Sequence, residues 1–168
     1  NITDTVALAV TGTSSFTTSA SNGTITLNTS TNALTGAVTL STTGSSGNAT
    51  IDNGTTALSI AASTIGGNLT VTAGDSITDS GVITVSGTAS FTTDTSDKLI
   101  TLNSQNAITG QVTFDTTSTG GDVTLDNGTT AISLGTIASG AIGGDLTLLT
   151  DADQTISNAI TLGGSGAE

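Results

Sequence analysis

The 168 residues carry one basic side chain, Lys98, against 13 acidic ones, for a formal charge of −12, and contain no Cys, Met, Trp, Tyr, Pro or His. Such a polyanion cannot neutralise phosphates by counterion release, which argues against nucleic acid and anionic membrane surfaces as partners. No apolar run approaches the length of a membrane span, and without cysteine there is no disulfide framework.

Apolar residues fall at every second position in short bursts separated by Gly, Ser, Asn and Thr. In chain order these are Val6, Leu8 and Val10, then Ile25/Leu27, Val38/Leu40, Leu58/Ile60, Leu69/Val71 and Ile83/Val85. Period-two alternation is the mark of strands, and no stretch keeps the helical spacing of i, i+3, i+4, i+7. The pattern predicts an all-β chain without helix. The hydrophobic fraction of 34% keeps this register in a way that disordered low-complexity sequence does not.

A long repeat overlies the strands. ITLNSQNAITGQVTFDTTSTGGDVTLDNGTTAISL, residues 100–134, repeats the pattern of residues 25–60. Ile2-Thr3-Asp4 returns 75 positions later as Ile77-Thr78-Asp79, Gly12 as Gly87, and Phe16-Thr17-Thr18 as Phe91-Thr92-Thr93. This divides the chain into repeats 2–76 and 77–155, with a third beginning at Ile156 and continuing through Ile160, Leu162 and Gly164. Residues 1–168 read as a single solenoid segment, a slice of a longer array.

A shorter period runs inside the long one. The pair Ile25/Leu27 recurs as Ala49/Ile51, Leu69/Val71, Ile100/Leu102, Val123/Leu125 and Leu146/Leu148, at spacings of 24, 20, 31, 23 and 23. Three short strands per turn of about 20 to 30 residues predict a right-handed parallel β-helix of about six coils, stacked at roughly 4.8 Å. The residue between the inward positions is Thr every time, so Thr26, Thr50, Thr70, Thr101, Thr124 and Thr147 are expected to form one outward ladder. Gly36, Gly87 and Gly110 mark corners where positive φ is expected. Asn53-Gly54 and Asn127-Gly128 ordinarily signal hairpins, but here they read as turns between coils because the flanking segments keep the stacking register. The interval from Leu69 to Lys98 leaves room for a projecting loop at 92–98, which holds Asp94, Asp97 and the lysine.

The succession xIxLN, NAxTGxVxx, DNGTTAxSL, IGGxLT and ITxSG is carried by residues 100–103, 106–114, 126–134, 142–147 and 77–81. It resembles the repeats of filamentous-haemagglutinin-like exoproteins and of very large bacterial surface proteins. The resemblance implies a right-handed parallel β-helix, export across the envelope, and a role in adhesion or in cell-surface filaments, hence an extracellular or cell-surface location.

Site chemistry is sparse. Parallel β-helices include polysaccharide lyases and hydrolases, but the carboxylate pairs Asp75/Asp79, Asp94/Asp97, Asp122/Asp126 and Asp151/Asp153 have no His, Arg or Tyr to act beside them. Neither catalysis nor a cofactor is expected. Asp122 and Asp145 occupy the same place on successive turns and are the candidates for structural calcium, although the first repeat has Asn48 and Asn68 there and the calcium-binding nonapeptide is absent. Phe16, Phe91 and Phe114 fall at inward positions as core filler. Asn-x-Ser/Thr occurs at Asn1, Asn22, Asn28, Asn48, Asn53, Asn68 and Asn127, a weak glycosylation signal in so threonine-rich a chain. The expected role is a stalk or filament shaft whose partners are neighbouring repeats or identical subunits end to end. The alternative is an adhesin module recognising a glycan or a partner cell through its loops or Thr-rich face.

Overall fold

In a computed structural model that describes residues 1–117, 120–154, 156 and 160, the chain is a β-solenoid of about six coils. Every strand pairing among these residues is parallel, and no helix occurs among them. The first face stacks β1 (Ile2–Thr3), β4 (Ile25–Leu27), β7 (Ala49–Asp52), β10 (Leu69–Ala73), β13 (Ala89–Thr93), β16 (Gln111–Asp115) and β18 (Ser133–Leu134). The second stacks β8 (Leu58–Ile60), β11 (Ile77–Asp79), β14 (Ile100–Leu102), β17 (Val123–Asp126) and β19 (Leu146–Leu149). The third stacks β3 (Ser14–Ser21), β6 (Val38–Thr43), β9 (Ser63–Ile65), β12 (Ile83–Val85) and β15 (Ala107–Ile108), and because β6 also pairs with the end of β8, Val38 with Ile60, the second and third stacks join into one sheet. In the first two coils a short pair, β2 (Ala9–Val10) and β5 (Ala33–Leu34), stands between the first and third faces in chain order.

Alternation explains the interior. In β4, β7, β10 and β13 the odd positions Ile25, Leu27, Ile51, Leu69, Val71 and Phe91 are all within 2% of full burial, while the Thr or Ser between them stays partly or fully exposed. Aliphatic residues stack on aliphatic residues through the rod, and Phe91 lies on Phe114 with ring centroids 5.9 Å apart. Phe16 is only half-buried and packs on the third face, where it pairs with Leu40. The apolar burst at Val6, Leu8 and Val10 is not one strand. Val6 is 69% exposed in a bend, and only Ala9–Val10 is extended, because the amide of Leu8 is turned to donate to Asn32 Oδ1.

The expected single threonine ladder is two columns. Register places Thr3, Thr26, Thr50, Thr70, Ser90 and Thr113 on the first face, and Ser59, Thr78, Thr101, Thr124 and Thr147 on the second. The spacing of 31 between Leu69 and Ile100 joined the two columns by passing over Ala89/Phe91, the true neighbour of Leu69/Val71. That interval is filled by β11, β12 and β13. The projecting loop is confined to residues 94–98, since Thr92 and Thr93 belong to β13.

The corner glycines act through closeness. Gly36, Gly87 and Gly110 do not have positive φ. A Cβ at Gly36 would collide with the Gly12 carbonyl, and one at Gly110 with the Gly87 carbonyl; at Gly87 it would meet Asn68 Oδ1 and the Gly67 carbonyl. Gly67, Gly87 and Gly110 form a column whose amides donate to the carbonyls of Gly47, Gly67 and Gly87 one coil earlier, at 3.0, 2.9 and 3.1 Å. A β-carbon there would push neighbouring coils apart. Gly110→Ala is therefore expected to cost about 1–3 kcal/mol of unfolding free energy in denaturant titration, the usual scale for overpacking, whereas Gly12→Ala, with open space around it, should leave the midpoint nearly unchanged.

Candidate functional site

Polar side chains concentrate where the backbone ladder breaks, at the corners. Asn53 is fully buried, accepts the Leu34 amide at Oδ1 (2.8 Å), and donates from Nδ2 to the carbonyls of Leu34 (3.1 Å) and Ala57 (2.8 Å). Its carboxamide stands in for a peptide group and continues the ladder through the turn. Asn127 does the same one repeat later, accepting from Ile108 N at 2.9 Å and returning a bond to Ile108 O at 3.0 Å. The glycines that follow have φ of +57° and +54°, and each donates its amide to the preceding aspartate, Gly54 to Asp52 and Gly128 to Asp126. The two Asn-Gly pairs are inter-coil corners within an entirely parallel stack.

A second corner device has no local motif in the sequence. Asp4 accepts the amides of Asn28 (3.1 Å) and Thr29 (3.2 Å) and the Asn32 side chain (2.7 Å). Asp79 accepts the equivalent set, Asn103 N at 3.0 Å, Ser104 N at 3.1 Å and Asn106 Nδ2 at 2.7 Å. Burial pushes the Asp4 pKa up, but the bonds from Asn32, Thr29 and Asn28 together outweigh it and hold the group below the usual carboxylate range. The recurrence of Asp, Asn and Asn at 75 and 74 positions is the one sequence signal that pointed to it.

A third device is a buried threonine that closes a corner loop. Thr42 Oγ1 donates to the Gly47 carbonyl and accepts the Gly66 amide, and Thr116 Oγ1 donates to Gly121 O (3.0 Å) and accepts the Gly143 amide (3.1 Å). At the equivalent corner Thr93 is fully buried and its hydroxyl has no partner. Lys98 stands five residues on, where the other corners have Gly23, Gly47 and Gly121.

The carboxylates are dispersed rather than convergent. Asp122 and Asp145 do lie on successive coils, but Asp122 Oδ1 accepts the Asp145 amide at 2.9 Å. This repeats a side-chain ladder in which Asn48 accepts from Asn68 N (2.8 Å) and Asn68 from Thr88 N (2.9 Å). No group of three or more His, Cys, Asp or Glu that could hold a metal occurs among the described residues. Asp75 accepts the Ser76 amide and pairs with Lys98 at 3.2 Å, both partly exposed, a contact worth little in water. Asp94 is raised, first by burial and then by repulsion from Asp52 and Asp115. Of the glycosylation motifs, Asn53 and Asn127 are buried and committed to the ladder, whereas Asn1, Asn22, Asn28, Asn48 and Asn68 are exposed. Ile156 and Ile160 of the third copy are described, whereas Leu162 and Gly164 lie outside the described residues.

The family model described as "Repeats of unknown function (DUF5649)" matches residues 1–41 and 46–115, about two thirds of the chain. No curated protein and no solved structure matches it.

The corner threonines separate cleanly by experiment. Thr116→Val should destabilise the rod by about 1–3 kcal/mol, because the buried Gly143 amide loses its acceptor. Thr93→Val, which replaces an unpaired hydroxyl by a methyl, should leave stability unchanged or raise it. Equilibrium unfolding of the two variants against the parent checks both.

Proposed function

Because the chain belongs to the DUF5649 family of repeats of unknown function, its role has to be read from its own geometry, and we propose that it is a shaft segment of an exported cell-surface fibre. The observation that carries this reading is where the polar side chains are spent. Asn53, Asn127, Asp4, Asp79, Thr42, Thr116 and Asp122 all hold one coil to the next or close a corner, and none converges with others on an open cleft. One continuous apolar core runs through the coils. Load along the axis would be shared by many parallel hydrogen bonds rather than borne by one interface.

Several features support this role over catalysis. An acid–base pair needs two titratable groups facing one substrate, and here Asp4, Asp79 and Asp122 accept backbone amides of the neighbouring coil, while Asp52, Asp75, Asp115 and Asp126 accept amides one or two residues on. Export fits the motif resemblance to haemagglutinin-like exoproteins and the high negative charge. Extension of the rod by neighbouring repeats, or by identical subunits end to end, needs no chemistry beyond the coil-to-coil register already present.

The second reading is an adhesin module. It is favoured by the exposed corner segments at residues 19–22, 43–46 and 94–97, the only runs of four consecutive exposed residues among the described residues. Immunogold labelling of intact source cells with antibody to this segment should decorate fibres outside the envelope, and the isolated segment should give no signal on a glycan array. Label confined to the cytoplasm would contradict both readings, and saturable binding to one glycan class would favour the adhesin.

A further inference from the structure

The long repeat in sequence is not a whole number of coils. The run β1, β4, β7 of the first copy lies on the first face, and its counterpart 75 or 74 residues later, β11, β14, β17, lies on the second. Likewise β3 and β6 lie on the third face, while their counterparts β13 and β16 lie on the first. The polar devices move with them. The Asp4 corner follows a first-face strand, and the Asp79 corner follows a second-face strand. The bond from Ala61 N to Val38 O recurs as Gly135 N to Val112 O, both 2.8 Å, one face further on.

We infer that one repeat is a screw step of three coils plus one strand, which carries each corner loop pair to the next corner of the rod. From Ile2 the chain passes Ile25, Ala49 and Leu69 on the first face, then moves one strand to reach Ile77, the equivalent of Ile2, on the second. The step raises equivalent atoms by roughly 16 Å, from three and a third coils at about 4.8 Å each, and turns them by one face. A residue position returns to its original face only after three repeats and ten coils.

The consequence falls on the exposed loops. In the first copy they join β3 to β4 and β6 to β7, between the third and first faces, and the two are tied together by Asn22 N donating to Thr43 O (2.7 Å) and Ser46 N to Asn22 Oδ1 (3.0 Å). In the second copy they join β13 to β14 and β16 to β17, between the first and second faces, where Ser96 Oγ donates to Thr117 O (3.3 Å). Asn22 and Asp97, equivalent residues, share the left-handed conformation at φ 62° and 63°. In an array of such repeats the loop pairs climb round the shaft as a staircase, so that no corner carries them all. The extra residues of the longer coils are thereby spread over three corners, which keeps a long shaft from curving toward one side. This last consequence rests on the shaft reading, whereas the screw step does not.

The chain has no cysteine, so paired nitroxide labels can be placed at outward positions without further change. Thr70→Cys with Ser90→Cys should show strong spin–spin broadening relative to the summed single-label spectra, since the two residues are register partners. Thr70→Cys with Thr101→Cys should show none, since Thr101 lies one face away. Thr26→Cys with Thr50→Cys, stacked under either arrangement, is the positive control, and Thr78→Cys with Thr101→Cys, register partners only if Thr101 lies on the second face, replaces the first pair if that variant fails to fold. Broadening for Thr70/Thr101, or its absence for Thr70/Ser90 or for Thr78/Thr101 in folded protein, overturns the screw step. These spectra report coil geometry alone, so their failure is distinguishable from a failure of cell-surface labelling.

Discussion

A parallel stack of coils depends on one interaction, the hydrogen bond from each strand to the strand directly above it, and the rest of this structure keeps that bond in register. Strands satisfy it automatically. Corners do not, because a turning backbone aims its amides and carbonyls away from the axis, and a buried peptide group without a partner costs as much as a lost bond. The chain answers with side chains that imitate peptides. Asn53 and Asn127 supply both a donor and an acceptor, Asp4 and Asp79 accept two consecutive amides each, and Thr42 and Thr116 bridge a carbonyl and an amide. Where no side chain fits, glycine lets the backbones themselves approach, as in the Gly67, Gly87 and Gly110 column.

Much of this could be read from the residues, and the parts that could not share a cause. Alternation exposes the strands because inward and outward positions differ in chemistry, and burial of Ile25, Leu27, Ile51 and Val71 follows it residue by residue. Asn53-Gly54 and Asn127-Gly128 could be assigned to inter-coil corners because the register on both sides is kept. The threonine ladder was misjoined because sequence similarity and spatial neighbourhood diverge in this chain. Thr101 resembles Thr26, yet the neighbour of Thr70 is Ser90, within ASF rather than ITL. A similarity search follows the 75-residue period, whereas stacking follows coils of about 20 to 24 residues, and the long period exceeds three coils by one strand. The Asp4 and Asp79 corners were hidden for a related reason. Their partners lie 24 to 28 residues away, in a different coil, where no local motif can show them.

Composition and function meet at the same constraint. Each coil must accept the next at a fixed spacing, so the outward faces carry Thr and Ser, which stack on copies of themselves at little cost and add cross-strand contacts of some tenths of a kcal/mol. Like charges directly stacked would repel. The acidic residues accordingly gather at strand ends and corners, where Asp52, Asp126 and Asp122 each accept a backbone amide. Asp94, raised first by burial and then by repulsion from Asp52 and Asp115, shows part of that penalty. A rod built this way gains charge for solubility without spending it on the faces, and gains length by adding coils. That economy underlies the proposal of a shaft.

The most direct test of the account is through-hydrogen-bond scalar coupling in isotope-labelled protein, which identifies donor and acceptor for each amide. The structure predicts that Ala49 N couples to Asn68 O, Leu69 N to Thr88 O and Val123 N to Asp145 O, and in the reverse sense Ala61 N to Val38 O and Ser86 N to Ile65 O, donors and acceptors always about one coil apart. Antiparallel pairs linking adjacent strands within a single 75-residue repeat would contradict the stacked-coil architecture.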